Sequence, residues 1–527
     1  MNNLLNIDKM RTGNARVDGL HGIMLRDVIP KREKFWWHYP ALRTLNFLLL
    51  GAIAANVTNG YDGSMLNGLQ IIPAWKSFFG KPTGVRLGLI NNGTRIGQVG
   101  ALLATAPLLT KFGRRKPIIL GHCILIVGII LQTAAQSYPM FVVGRVFIGF
   151  GNMIQQAACP VLIAELAYPP QRAIITGFLN CGQSLGTIMA AWITYGTAFI
   201  VGSSWSWRLP SALQGVSSIF QLTMVLFIPE SPRWLVFNDR REEALAILTK
   251  YHAEGDSSSE FLKFEMAEID NAIETEKANT LSSWYEWIRT PASRYRLCII
   301  VSLGFMIQWC GNALISYYLS LVLNSVGITK PKTQLLINGG ITIAGFLFAI
   351  IFSLSMERVG RRPLFLVGFA GMFVSLFIFT VLTGINQNHG FRNHAMGTAC
   401  VVLIYIFNIF YKMPAPVVDS YISEIAPYDL RAKAFVLLQA TDAGSNLFNG
   451  FVNPIGLVAI KYKYYIVWCC LLVSHFLIAF FFFPETKGLS LEEVAEVFEG
   501  HGSDEKLQHI EENEKNNADM VEIRETG

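Results

Sequence analysis

Apolar stretches recur along the chain from Leu42 to Phe483, broken by short polar connections. A helix needs roughly 20 mainly apolar residues to cross about 30 Å of hydrocarbon. On that criterion the pattern predicts twelve spans, near 43–67, 87–109, 117–136, 139–163, 173–200, 209–228, 296–325, 334–356, 363–383, 396–421, 433–460 and 464–483. Between the sixth and seventh, residues 230–292 turn polar and rich in Glu, Lys and Ser, with helical stretches expected at Arg241–Tyr251 and Phe261–Glu276. The expected organisation is an N-terminal segment (1–41), a six-helix bundle (42–229), a helical linker (230–292), a second six-helix bundle (293–484) and a tail (485–527). Beyond about Gly500 the tail is too polar to bury a core and is expected to be disordered. The fold class expected is an all-α polytopic membrane protein.

Composition points the same way. With 52% hydrophobic and 15% charged residues, a chain of 527 residues is wrong for a string of soluble domains. Basic residues collect before the first span (Lys31, Arg32, Lys34) and in alternate connections, at Lys111 to Lys116, Arg172, Arg233 to Arg241, Arg358 to Arg362, and Arg431 with Lys433. Basic connections stay cytoplasmic, so both termini are expected there, most naturally at a plasma membrane. Residues 1–40 hold no removable signal peptide by pattern. The net charge of +6 is divided among loops by topology, which argues against a nucleic-acid partner. The eight cysteines lie in or beside apolar spans without CxxC spacing and read as small buried hydrophobes, not metal ligands. With no nucleophile–base pair, metal-ligand cluster or phosphate loop in sight, neither an enzyme nor a cofactor is expected, and no obligate protein partner is implied.

The chain also repeats itself. Lys111-Phe-Gly-Arg-Arg-Lys-Pro117 recurs as Glu357-Arg-Val-Gly-Arg-Arg-Pro363. Glu165-Leu-Ala-Tyr-Pro, with Arg172 following, recurs as Glu424-Ile-Ala-Pro with Arg431, and Pro229-Glu-Ser-Pro recurs as Pro484-Glu-Thr-Lys. The copies are offset by 247, 259 and 255 residues, so the halves are parallel copies of six spans, with a site expected between them at mid-membrane.

These motifs resemble the sugar porter branch of the major facilitator superfamily over nearly the whole chain. Carrying the resemblance are Gly60-Tyr-Asp-Gly, Gly144-Arg145, Trp207-Arg-Leu-Pro210, Pro229-Glu-Ser-Pro-Arg-Trp-Leu235, Gln308 with Tyr317-Tyr318, Pro484-Glu-Thr-Lys-Gly-Leu489 and the paired Gly-Arg-Arg and Glu motifs. Fungal lactose and cellodextrin permeases look nearest, on Gln308-Trp-Cys-Gly-Asn312 and the Tyr pair. The resemblance implies import of a sugar, for instance a disaccharide such as lactose or cellobiose, by proton symport with alternating access. Alternatives are a facilitative hexose transporter and a transporter-like sugar receptor, against which the short tail argues. It also implies a cytoplasmic gate built from Arg114, Arg115, Glu165, Arg172, Glu230, Arg233, Glu357, Arg361, Arg362, Glu424, Arg431 and Glu485. Thr110 departs from the acidic residue usual before the first Gly-Arg-Arg, so an asymmetric gate is expected.

A charge inside the bilayer is costly unless paired or hydrated. At about 1.5 Å per residue, Asp62 lies about 6–12 Å below the outer end of the first span and Arg145 about 9 Å below that of the fourth. Their depths match and their signs oppose, which nominates them for proton coupling; a static ion pair is the plainer alternative. Arg95 has no partner readable from sequence, Asp442 is unassigned, and Lys412 and Asp419 share a face of the tenth span two turns apart. A sugar needs neutral amides for its hydroxyls and aromatics for its C–H faces. Candidates are Asn180, Gln183, Gln308, Asn312, Tyr317, Tyr318, Asp419, Asn446 and Asn449, against interhelical packing as the plain reading of any one. Relative to the family pattern, Ala313, Gly345 and Asp419 are departures, and the small residue at Gly345 is expected to leave room for a ligand larger than a hexose.

Overall fold

A computed structural model describes residues 35–279, 284–388, 394–427, 430–487, 493–494 and 497–498. The expected disordered tail, and the segment before residue 35, lie outside the described residues.

The first half comprises α1 (Pro40–Leu69), a short α2 (Pro73–Phe78), α3 (Gly84–Phe112), α4 (Arg115–Thr133), α5 (Tyr138–Leu166), α6 (Pro169–Thr197) and α7 (Trp205–Val225). Four helices follow, α8 (Pro232–Phe237), α9 (Arg241–Tyr251), α10 (Glu260–Asn279) and α11 (Glu286–Arg289). The second half holds α12 (Pro291–Gln308), α13 (Asn312–Ser325), α14 (Pro331–Val359), α15 (Arg361–Asn388), α16 (His394–Tyr411), α17 (Val417–Ile425), α18 (Arg431–Ala459) and α19 (Tyr464–Phe482). Proline at the first or second position starts α1, α5, α6, α12 and α14, where its missing N–H costs nothing.

Twelve spans are present, but two of them are broken. The seventh is α12 plus α13, divided at Gly311, whose φ of 89° a side chain would resist. The tenth is α16 plus α17, divided over residues 412–416, where Pro414 and Pro416 cannot continue a helix. The hydropathy pattern ran straight through both breaks, because it registers apolarity and not backbone hydrogen bonding.

Among the described residues, seven stretches are long and apolar enough to cross a membrane by composition alone. Helices α3, α6, α7 and α18 are comparably long but more polar. Within the first half α1 packs on α6 and α7, and α5 packs on α3 and α4; in the second, α12 packs on α18, and α15 on α16 and α19. Across the halves α3 meets α18, α6 meets α14, and α1 meets α13. Glycine permits close crossings: a Cβ on Gly149 of α5 would lie 1.9 Å from the Thr94 carbonyl oxygen of α3.

The linker helices dock on the first half. Both ring nitrogens of buried His252 face oxygen, Nδ1 at 2.9 Å from the Glu265 carboxylate and Nε2 at 3.0 Å from the Leu166 carbonyl. The Glu254 carboxylate accepts from the N–H groups of Ala41 and Leu42, both at 3.4 Å, where the first turn of α1 would otherwise leave them open.

Replacing Gly149 with Ala drives a methyl group into the α3 backbone, and overpacking of this kind costs about 1–3 kcal/mol. A clear drop in the melting temperature of detergent-solubilised Gly149→Ala is expected; an unchanged value would show that the α3–α5 crossing has room for a methyl group.

Candidate transport site between the halves

The repeated motifs assemble at one end of the molecule into two matching clusters. In the first half, Glu230 accepts from the backbone N–H of Arg114 at 2.8 Å and from that of Arg115 at 3.2 Å, while the Arg114 guanidinium grips Glu165 with two bonds of 3.0 Å. In the second, Glu485 accepts from the N–H of Arg361 and Arg362, both at 3.0 Å, and Arg361 grips Glu424 at 2.8 Å. Arg115 donates to the carbonyls of Val225 and Leu226, and Arg362 to that of Phe480. The glycine of each Gly-Arg-Arg has positive φ, 88° at Gly113 and 103° at Gly360, and its missing Cβ leaves the place where the Glu230 or Glu485 carboxylate sits. This is a chemical reason for the glycine that the motif alone did not disclose. Fork-to-carboxylate geometry makes these charge-assisted bonds strong, and each pair joins helices of its own half.

Among the other gate candidates, Arg172 is half-buried at the start of α6, Arg233 lies in α8 and Arg431 opens α18, while the Glu357 side chain lies outside the described residues.

The opposite end is where the halves are sewn together. Asn67 donates from Nδ2 to the Ile315 carbonyl at 3.2 Å and to Asn338 Oδ1 at 3.1 Å, and its Oδ1 accepts from the Leu319 N–H at 3.2 Å. In an unbroken helix the Leu319 N–H and Ile315 carbonyl would bond each other. Between them Tyr318 has φ −134° and ψ 26°, so α13 is kinked there and Asn67 satisfies both backbone groups from across the interface. Gln70 donates to the Tyr317 carbonyl at 3.0 Å, Lys76 to Ser320 Oγ at 3.2 Å, and Asn92 to the Leu447 carbonyl at 3.1 Å. Burial in this seal pulls the Lys76 ammonium below its ordinary value.

Asp62 and Arg145 are brought together within the first half. Arg145 is 2% exposed and Asp62 5%, with Nη2 to Oδ2 at 3.2 Å and Nη1 to Oδ1 at 3.4 Å. The guanidinium is otherwise spent on the Ile90 carbonyl at 2.8 Å and, at 3.4 Å each, on Gln132 and Thr94, while Gln214 donates to Asp62 at 3.2 Å. Five helices, α1, α3, α4, α5 and α7, therefore converge on one buried pair, and the loss of either charge would strand the other.

Toward the interface, Arg95 of α3 donates to Gln98 at 3.0 Å and across the halves to the Tyr317 hydroxyl at 2.9 Å. Its electrostatic neighbours include Asp442 and Asp62, so it stands between the buried pair and the second half. Gln308 donates to Asp442 Oδ1 at 2.7 Å, and its carbonyl accepts from Asn449 at 2.7 Å. Tyr411 has Asn312, Tyr317 and Asp442 as neighbours, and Asp419, exposed on α17, has Asp442. Gln183 is exposed on α6, Asn446 is buried on α18, and the Asn180 side chain lies outside the described residues.

Two expectations change. Tyr318 is fully buried with its hydroxyl on the Gly450 carbonyl, so in this state it packs the kink and presents no face to a cavity. The room expected at Gly345 is filled: a Cβ there would lie 3.2 Å from Lys412 Cε and 2.9 Å from Asn408 Oδ1. Sequence reading also passed over Asn67, Gln70 and Gln214. Their only signal was an amide inside an apolar run, which packing explains equally well.

Residues 48–498 match the sequence profile of the family described as sugar (and other) transporter. The chain belongs to that family. The family's members are transporters and not enzymes, and the two broken and ten continuous spans form its major facilitator fold. A high-affinity glucose transporter of Kluyveromyces lactis is 27% identical over 496 residues, covering 90% of this chain and 89% of that protein. Among solved structures, the inward-open xylose transporter XylE of E. coli superposes with a TM-score of 0.70 at 21% identity, covering 86% and 99%. The proton:xylose symporter XylE bound to 6-bromo-6-deoxy-D-glucose gives 0.66 at 22%, covering 87% and 100%. In this transporter the buried pair, the interface and the paired clusters occupy successive depths of one fold.

Because Asn67 carries both sides of the α13 kink, Asn67→Ala should loosen the seal. Maleimide labelling of Ser320→Cys, read above the native cysteine background, should then accelerate several-fold. Asn67→Asp keeps the acceptor for Leu319 and should fall between. Equal rates in all three backgrounds would remove Asn67 from the seal.

Proposed function

We propose that this transporter imports a sugar across the plasma membrane by proton symport, with both termini cytoplasmic. The observation that carries the reading is the Asp62–Arg145 pair: a carboxylate and a guanidinium, both buried in the first half, with Arg95 leading from them to the Tyr317 hydroxyl of the second. A proton on Asp62 removes one charge of the pair, frees Arg145 to reorganise its bonds to Gln132 and Thr94, and alters the packing of α1 against α5. That change reaches the interface through α3, which carries Thr94 and Arg95 side by side.

Alternating access supplies the rest of the cycle. The Asn67, Gln70 and Lys76 contacts seal the end expected to face outward, so the state described corresponds to one open toward the cytoplasm. The superposition on inward-open XylE supports the same assignment. The Arg114–Glu165 and Arg361–Glu424 grips stiffen each half where the cytoplasmic gate must part. Gln308, Asn312 and Asn449 supply amides near mid-span, and relatives named for glucose and xylose favour a monosaccharide-sized ligand now that Lys412 fills the space beside Gly345.

Asp62→Asn tests the coupling. In a host lacking its own sugar transporters, the wild-type chain should accumulate a labelled sugar uphill, more at acidic external pH, and lose this with a protonophore. The variant should lose accumulation and its pH dependence while retaining downhill exchange. Full accumulation in Asp62→Asn would leave the pair a packing device. Wild-type uptake indifferent to a protonophore would favour facilitated diffusion.

A further inference from the structure

The interface is more ionic than a neutral sugar requires. Four ionisable side chains lie at mid-span, Arg95, Lys412, Asp419 and Asp442, where each costs several kcal/mol unless paired or hydrated. Arg95 is offset by Asp442 and bonded to Tyr317. Asp419 is exposed on α17, the segment that leads from the break to Glu424 of the gate cluster, so water can solvate it. Lys412 differs. It is half-buried at the break in the tenth span, its Nζ 5.5 Å from the centroid of the Tyr411 ring and its stem against Gly345, with no carboxylate within 4.0 Å of its ammonium among the described residues. An ammonium held there without a counter-ion marks a place where an anion belongs.

A second observation describes the rest of that ligand. Three amide oxygens are buried without a hydrogen-bond partner: Asn312 Oδ1 at the start of α13, Asn408 Oδ1 on α16 and Asn449 Oδ1 on α18, whose amide nitrogen holds the Gln308 carbonyl. Each is an acceptor that wants a hydroxyl or N–H, and leaving it unpaired costs about 1–3 kcal/mol. Asn408 lies one helical turn before Lys412, and Asn312 neighbours Tyr411. A ligand with several hydroxyl donors and one anionic group would satisfy both observations.

Resting on the reading of this chain as a sugar–proton symporter, we propose that its site takes a polyhydroxy carboxylate, a sugar acid, with Lys412 as the counter-charge of the acid group and the Asn312, Asn408 and Asn449 oxygens accepting hydroxyls. Asp419 and Asp442 orient the ligand: they repel its carboxylate toward Lys412 and accept hydroxyls from its other end. Gly345 belongs to the same device, since any side chain there would displace the Lys412 stem.

The test compares three ligands that differ only at the sixth carbon: D-glucose, D-glucuronate and the neutral amide D-glucuronamide. Reconstituted full-length protein is assayed for uptake of each, and for inhibition of labelled glucose uptake by the other two. Glucuronate should be preferred over its amide by about tenfold, a factor of ten being the scale of one well-placed charge pair. Lys412→Gln should abolish that preference and Lys412→Arg should keep it, size-exclusion profiles confirming that both fold. The wild-type comparison stands even where a variant fails to fold. Glucose uptake with no preference for the acid over the amide overturns the sugar-acid inference and leaves the symporter reading intact. A preference that survives in Lys412→Gln overturns the role of Lys412. Uptake of none of the three, nor of a wider sugar panel, overturns both.

Discussion

Hydrocarbon offers no partner to a charge or to an open backbone hydrogen bond, and that constraint organises this chain from the length of its helices to its candidate site. Wherever the sequence places a charge or breaks a helix within a span, the partner has to come from another part of the protein. Arg145 is the clearest case. Its donors go to Asp62, Gln132, Thr94 and the Ile90 carbonyl, so one guanidinium ties together α1, α3, α4 and α5. Such a pair adds little net stability over a well-packed apolar substitute, because desolvation offsets attraction. On the proposed symport reading, what it supplies is a state that one proton can change.

The same accounting explains the broken spans. Breaking a helix at mid-membrane exposes backbone groups, and these become handles for other helices. At the α13 kink the handles are the Ile315 carbonyl and the Leu319 N–H, and the hand is Asn67 from the other half. Where the halves separate, the bond between Ile315 and Leu319 is available to reform, so the loss of Asn67 is compensated inside the helix. A seal built this way can open without stranding a polar group. The Arg–Glu clusters at the other end work on the opposite principle, since each closes within its own half.

The layers differ in how far the sequence disclosed them. The twelve spans and the duplication were legible because apolar length and repeated motifs are local signals; Gly113-Arg-Arg and Gly360-Arg-Arg announced the clusters 247 residues apart. Asp62 and Arg145 could be paired by depth alone, since a span is a ruler of fixed rise. The break at Pro414 and Pro416 was written in the chain but outweighed by its hydropathy, and Gly311 gave no sign of its positive φ. Least legible was which amide faces which group. Gln308 looks free in the sequence, yet its amide is engaged by Asp442, and Arg95 found in Tyr317 a partner 222 positions away. Side-chain partners across an interface follow from the packing of whole helices, which no window of sequence contains.

Gly345 shows how such a gap misleads. From sequence a glycine in a span reads as space, and space in a binding site reads as a larger ligand. Volume in a packed interior seldom stays empty, because lining atoms without neighbours lose their dispersion contacts. Here the space is taken by the Lys412 stem from the break in the tenth span, nearly seventy positions on. The small residue therefore changes the charge of the site and not its size. A glycine in one helix and a lysine at the break of another span, each unremarkable alone, together convert a neutral surface into one that seeks an anion.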